Sequence, residues 1–157
     1  MFDILDYVGR TVDLLAFQDE KVNGEALLTQ LLVKDGERGE ITAGVQKLAQ
    51  RWLIEFLTIE GSIRAAPERG TQFINDIRTG QIRTTLDAEQ SFYLAANAAA
   101  INLKLEEEDN IPVDEAYDYF NLVSIQAQGD TITAYVEVAS EAGNTAQLIL
   151  PIPIKVQ

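Results

Sequence analysis

The sequence predicts an α+β fold, with helices packed on a small C-terminal antiparallel sheet. Three observations carry this. Apolar residues recur at helical spacing from Val45 to Leu57, an alanine-rich amphipathic run follows over residues 87–107, and beyond it the spacing becomes that of strands around a Gly129-Asp130 turn. With 157 residues the chain has room for one main domain and an appendage. Residues 1–40 read as an N-terminal extension and residues 41–157 as the domain.

The extension begins "MFDILDYVGRTVDLLAF", acidic where a secretory signal needs basic residues and without a small-residue cleavage site, so no export signal is expected. A short strand is expected at Ala26–Val33, followed by the turn-rich "KDGERGE". A helix over residues 42–58 carries Val45, Leu48, Ala49, Trp52, Leu53, Phe56 and Leu57 on one stripe, with Gln46, Lys47, Gln50, Arg51 and Glu55 assigned to the opposite face. Trp52 on that stripe reads as packing. A short helix over residues 71–79 is closed by Gly80. The long helix has Asp87 and Gln90 at the spacing of an N-terminal cap, and its stripe is Phe92, Ala95, Ala96, Ala99 and Leu103. Glu106 to Asp109 place negative charge at its C-terminal end, where the helix dipole disfavours it, so fraying is expected.

Strands are expected over residues 120–128, 131–139 and 145–151. Val123, Ile125 and Ala127 alternate with polar residues, as do Ile132, Ala134, Val136 and Val138. Pro151 and Pro153 cannot donate to a ladder and are expected to end the third strand at a sheet edge. Tyr117 and Tyr119, just before the hairpin, fit either an interface or a cover for the sheet.

Composition removes whole classes of chemistry. The chain has no cysteine and no histidine, which excludes thiolate metal sites, disulfides and histidine-based acid–base catalysis. No cofactor and no metal site is expected. A net charge of −13 argues against nucleic-acid binding, and no apolar run reaches the roughly 20 residues of a membrane span. The charge is uneven: Lys47, Arg51, Arg64, Arg69, Arg78 and Arg83 outnumber Glu55, Glu60, Glu68 and Asp76 in the one electropositive stretch, which suits contact with acidic protein surfaces.

In that stretch lies "FLTIEGSIRAAPERGTQF", Phe56 to Phe73. Gly61, Pro67 and Gly70 with Arg64 and Arg69 could cradle an anion before the next helix, although the spacing matches neither a P-loop nor a dinucleotide fingerprint. The alternative is a structural loop with glycines at positive φ. Acidic pairs such as Glu55 with Glu60, or those of Glu106 to Asp109, would be the raw material of a carboxylate glycosidase, and "EEEDN" lacks the ligand spacing of a calcium loop.

The stretch "VQKLAQRWLIEFLTIEGSIRAAPERGTQF" resembles the opening of the lysozyme-like baseplate wedge proteins, or sheath initiators, of contractile phage tails and related injection machines. In that family an amphipathic helix runs into Thr-x-x-Gly, then a loop with Pro and Gly-Thr. Thr58, Gly61, Pro67, Gly70 and Thr71 stand at those positions. The resemblance covers residues 41–153, including strands ending in "LPI". The family often carries a Glu-Pro-Arg triplet between the long helix and the hairpin; here "NIPVDEAYDYF" has Pro112 without those neighbours, so no role of the triplet carries over.

The resemblance implies a structural protein of the virion baseplate, assembled in the host cytoplasm. It implies six copies around the tail, in contact with wedge proteins, hub and tube proteins, and the sheath protein. Thr58, Gly61, Arg64, Pro67, Arg69, Gly70 and Thr71 are then expected to form a joint. Ala146, Gln147, Leu148, Ile149, Leu150 and Pro151 are expected to face the sheath, whose extended arm would add a strand there. The alternatives are a lysozyme-like carboxylate glycosidase and an adaptor in another contractile injection machine.

Overall fold

The structure, a computed structural model, describes residues 13–14, 21–22, 25–26 and 41–154. Short antiparallel pairs come first: β1 (Asp13–Leu14) with β4 (Ile41–Thr42), and β2 (Lys21–Val22) with β3 (Glu25–Ala26). The rest of the expected strand after Ala26, and the turn-rich segment behind it, lie outside the described residues. Three helices follow, α1 (Gly44–Leu57), α2 (Phe73–Arg78) and α3 (Thr85–Glu106), and then β5 (Tyr117–Gln128), β6 (Thr131–Ser140) and β7 (Thr145–Pro153). The last three form an antiparallel sheet in the order β5-β6-β7. The α+β architecture is as the sequence predicts. Helix α1 lies over β6 and β7, and α3 over α1 and β5.

The predicted stripes meet in one core. Leu48, Ala49, Trp52, Leu53 and Phe56 of α1 and all five stripe residues of α3 are buried. Trp52 stacks on Phe56 with ring centroids 5.0 Å apart, Phe56 lies 4.7 Å from Phe92, and Phe73 of α2 meets Phe92 edge-on at 5.7 Å. Phe120 of the sheet joins Trp52 at 6.3 Å. Such offset and edge-on aromatic contacts each add about 1 kcal/mol to the burial itself.

Two residues assigned to the polar face of α1 are in fact buried, Gln50 and Glu55. Glu55 stands seven residues after Leu48 and three after Trp52, so helical geometry returns it to the apolar side. The start of α3 also differs from the expectation. Thr84, not Asp87, is the N-cap: its hydroxyl accepts from the Asp87 N–H (3.1 Å) while the Asp87 carboxylate accepts from the N–H groups of Thr84 (2.9 Å) and Arg83 (3.1 Å). The first position of the box thus lies three residues earlier, and Asp87 supplies the returning acid. At the other end, Glu106 meets Arg69, and Glu107 accepts from Tyr117 N–H (2.6 Å) and pairs with Lys104 (3.2 Å). Those partners oppose the expected fraying.

In the sheet, β5 is bulged at two places, between Tyr117 and Tyr119 and between Leu122 and Ser124. The second bulge overturns the simple alternation. Val123 is the extra residue and is 60% exposed, while Phe120 and Leu122 pack against the core. Tyr117 is buried and Tyr119 exposed, so only the first covers the core. Strand β7 runs through both prolines: Pro151 pairs with Thr133 and Pro153 with Thr131. They do not end the ladder, because both stand at pairs where β7 gives no N–H to β6.

Candidate functional site

The loop between α1 and α2 is built around one buried carboxylate. Glu55 is 1% exposed; its Oε1 accepts from Gly70 N–H (2.8 Å) and Asn102 Nδ2 (2.6 Å), and its Oε2 from Arg69 Nε (2.7 Å) and Nη2. Arg69 also meets Glu106, so its guanidinium joins the end of α1 to the end of α3. Burial pushes the Glu55 carboxyl up, but the bonds from Arg69, Gly70 and Asn102, with the charge of Arg69, outweigh it and hold the group below its ordinary 4.5. The loop does cradle an anion, and the anion is the chain's own Glu55.

Backbone bonds close the loop from both ends. Thr71 N–H donates to Thr58 O (2.8 Å), Glu60 N–H to Thr71 O (3.1 Å) and Gly61 N–H to Pro67 O (3.0 Å), while Thr71 Oγ1 donates to Phe56 O (2.7 Å). The ends meet as a parallel bridge, Ile59 with Thr71. The result is a compact loop with its termini together. Gly70 is required twice over: its φ is +93°, and a β-carbon there would stand 2.5 Å from Thr58 O. Gly61 also has positive φ, +80°, but open space around it.

Of the seven expected joint residues, Thr58, Gly61, Pro67, Arg69, Gly70 and Thr71 thus take part in bonds that hold the loop to itself and to the helices. Arg64 stands at the exposed tip beside Ile63. Sequence reasoning weighed Glu55 only as half of an acid pair with Glu60, and Asn102 not at all. Glu60 is exposed and accepts from Gln72 Nε2 (2.7 Å), whereas Glu55 is enclosed with both oxygens bonded. The signal available was the helical position of Glu55.

A second buried carboxylate, Glu115, is 1% exposed and accepts from Gly44 N–H (3.2 Å) and Lys47 Nζ (2.9 Å). It serves as the N-terminal cap of α1 that Ala43 does not provide. Beside it, a polar groove of about 290 Å³ is lined by Lys47, Arg51, Glu106, Glu108 and Glu115 among others. Among the described residues no helix is long and apolar enough to cross a membrane, and no group of acids is arranged to hold a metal ion.

The β7 edge is the other candidate. Ile154 N–H donates to Asp130 O (2.7 Å) and Ser140 N–H to Asn144 O (2.9 Å), which fixes the alternation of the ladder between them. Ala146, Leu148, Leu150 and Ile152 exchange bonds with β6; Thr145, Gln147, Ile149, Pro151 and Pro153 stand at the intervening pairs, with backbone groups aimed away from β6. Both prolines therefore fall where no donor is needed. Their absent N–H groups subtract from the outer edge, so its donors are those of Thr145, Gln147 and Ile149. The side chains of Ala146, Leu148 and Leu150 turn toward the core, and β3 approaches β7 without joining its sheet.

No protein-family model, no curated protein and no solved structure matches the chain.

Proposed function

We propose that the chain is a non-enzymatic structural subunit of a contractile phage-tail baseplate, which links wedge to hub and starts the sheath by accepting an extended strand on β7. One observation carries the acceptor role: an edge in unshifted register whose N–H and C=O groups at Thr145, Gln147 and Ile149 point away from its own sheet. Pro151 offers no donor, so the incoming strand ends there and its register is set. The opposite edge, β5, is broken by two bulges, a common protection against added strands.

The choice of machine rests on the resemblance of residues 41–153, with Thr58, Gly61, Pro67, Gly70 and Thr71 at the family's positions. On that reading six copies ring the tail in the virion, after assembly in the host cytoplasm, and the loop tip at Arg64 meets an acidic wedge surface. No cofactor takes part. Glu55, the acid a glycosidase reading would call on, is enclosed and held ionised by its partners.

The ladder supplies the test. Proline at Gln147 or Ile149 removes an outward donor and spares the bonds to β6, so these variants are expected to fold and to block sheath assembly on the baseplate. Gln147→Ser, which keeps the main chain, is expected to assemble normally. Sheath that forms on both proline variants overturns the strand-acceptor role, as does an assembled baseplate in which sheath chains touch only the helices.

A further inference from the structure

Helix α3 has two apolar faces. Ala88, Phe92, Ala95, Ala96, Ala99 and Leu103 fill the core, while Leu86, Leu94, Ile101 and Leu105 are 61%, 74%, 61% and 80% exposed. With Gln90 and Asn97 these four recur at intervals of four, four, three, four and four residues, which places all six on one stripe. Scattered apolar residues on a surface are ordinary; four large ones aligned on one helix face form the kind of patch that marks an interaction surface.

The order of residues along the stripe says what covers it. Consider two copies with α3 antiparallel about a two-fold axis midway between Leu94 and Asn97. Leu86 of one then meets Leu105 of the other, Gln90 meets Ile101, and Leu94 meets Asn97. Just beyond the helix ends, Arg83 of one copy comes beside Glu108 of the other, and this pairing occurs twice. A parallel alignment would instead set Arg83 against Arg83 and Glu108 against Glu108.

Arg83 and Glu108 are exposed, and among the described residues neither is in an ion pair; Arg83 Nε donates to the Gly80 carbonyl (3.1 Å). Antiparallel packing also lays the positive N-terminal end of one α3 beside Glu106 to Asp109 at the end of the other, where its own dipole is unfavourable.

We propose that the chain self-associates as a two-fold dimer through the outer face of α3, with the helices antiparallel. This surface is separate from the β7 edge, and its test does not depend on the sheath reading. One helix pair covers less area than a standard interface, so the dimer is weak, with a dissociation constant of roughly 10–100 µM.

Sedimentation equilibrium of the full chain should show a monomer–dimer equilibrium in that range. Leu94→Glu, at an exposed position close to the axis, should leave the circular dichroism spectrum unchanged and weaken the dimer about 100-fold. Arg83→Glu and Glu108→Arg should each weaken it about two- to fivefold, and the two together in one chain should restore it. Because the chain has no cysteine, orientation can be read by cross-linking: Leu86→Cys mixed with Leu105→Cys should form a disulfide-linked pair, while Leu86→Cys alone should not. A chain that stays monomeric up to roughly 1 mM overturns the proposal. Cross-linking of Leu86→Cys with itself overturns the antiparallel arrangement, and failure of the double charge exchange to restore association overturns the register.

Discussion

The α1–α2 loop and the β7 strand invert what their sequences suggest. The loop, with its glycines, proline and arginines, has the composition of a binding site, yet most of its backbone donors and the buried Glu55 carboxylate it wraps are bonded inside the chain. The strand is short and regular, with two prolines at its end, yet its outer row of peptide groups faces away from every partner in its own sheet. Irregular composition here marks closure, and regular structure marks an opening. Residues that hold odd backbone geometry must be satisfied locally, whereas a strand is satisfied by pairing and always has a second side to offer.

The contrast can be broken most severely at Gly70. Gly70→Val combines a left-handed φ with a contact of 2.5 Å to Thr58 O, and is expected to destabilise by at least about 4 kcal/mol or to prevent folding. Thermal unfolding would measure it. A variant with normal stability would mean that the loop is not clamped as described.

On the strand, adjacent positions should behave differently. Leu148→Pro removes a bond to β6 and should cost about 3 kcal/mol or more, while Gln147→Pro, on the open side, should cost about 1 kcal/mol. Denaturant unfolding of the two variants compares them directly, and equal losses would refute the assigned alternation.

Removing the anion sharpens the loop side. Glu55→Gln keeps the shape but leaves Arg69 without its buried carboxylate, and should cost about 2 kcal/mol at neutral pH. It should also flatten the acid limb. Since the folded carboxyl titrates below its ordinary 4.5, the unfolded chain binds the proton more tightly. Its stabilisation is complete above about 4.5 and is lost as pH falls through the lower folded value. The difference in unfolding free energy between the wild type and the variant, measured from pH 7 downward, should therefore narrow as pH falls below about 4.5. The smallest effect is expected at Gly61, where space is open and only the positive φ is strained: Gly61→Val should cost about 1–2 kcal/mol.

The sequence by itself determined the elements and their inner faces. Leu48, Trp52 and Phe56, or Phe92, Ala96 and Leu103, recur with the helical period because burial on one side requires it, and that requirement is local enough to read. The hairpin at Gly129-Asp130 was legible for the same reason, and so were the glycine turns. Position within a turn was less so: Thr84 and Asp87 divide the two roles of one capping box, whereas the spacing alone pointed to Asp87 with Gln90.

Only the tertiary structure decided what the polar residues do. Glu55 is bonded to a residue 47 positions away, and Glu115 caps a helix that starts 71 positions earlier, so no window of sequence contains both partners. The bulge at Val123 turned on the neighbouring strand, since a strand's period alone does not say where an extra residue is taken up. The outward aim of Thr145, Gln147 and Ile149 likewise followed from register: alternation assigns side chains to faces, but the direction of each peptide group is set only once the partner strand is in place.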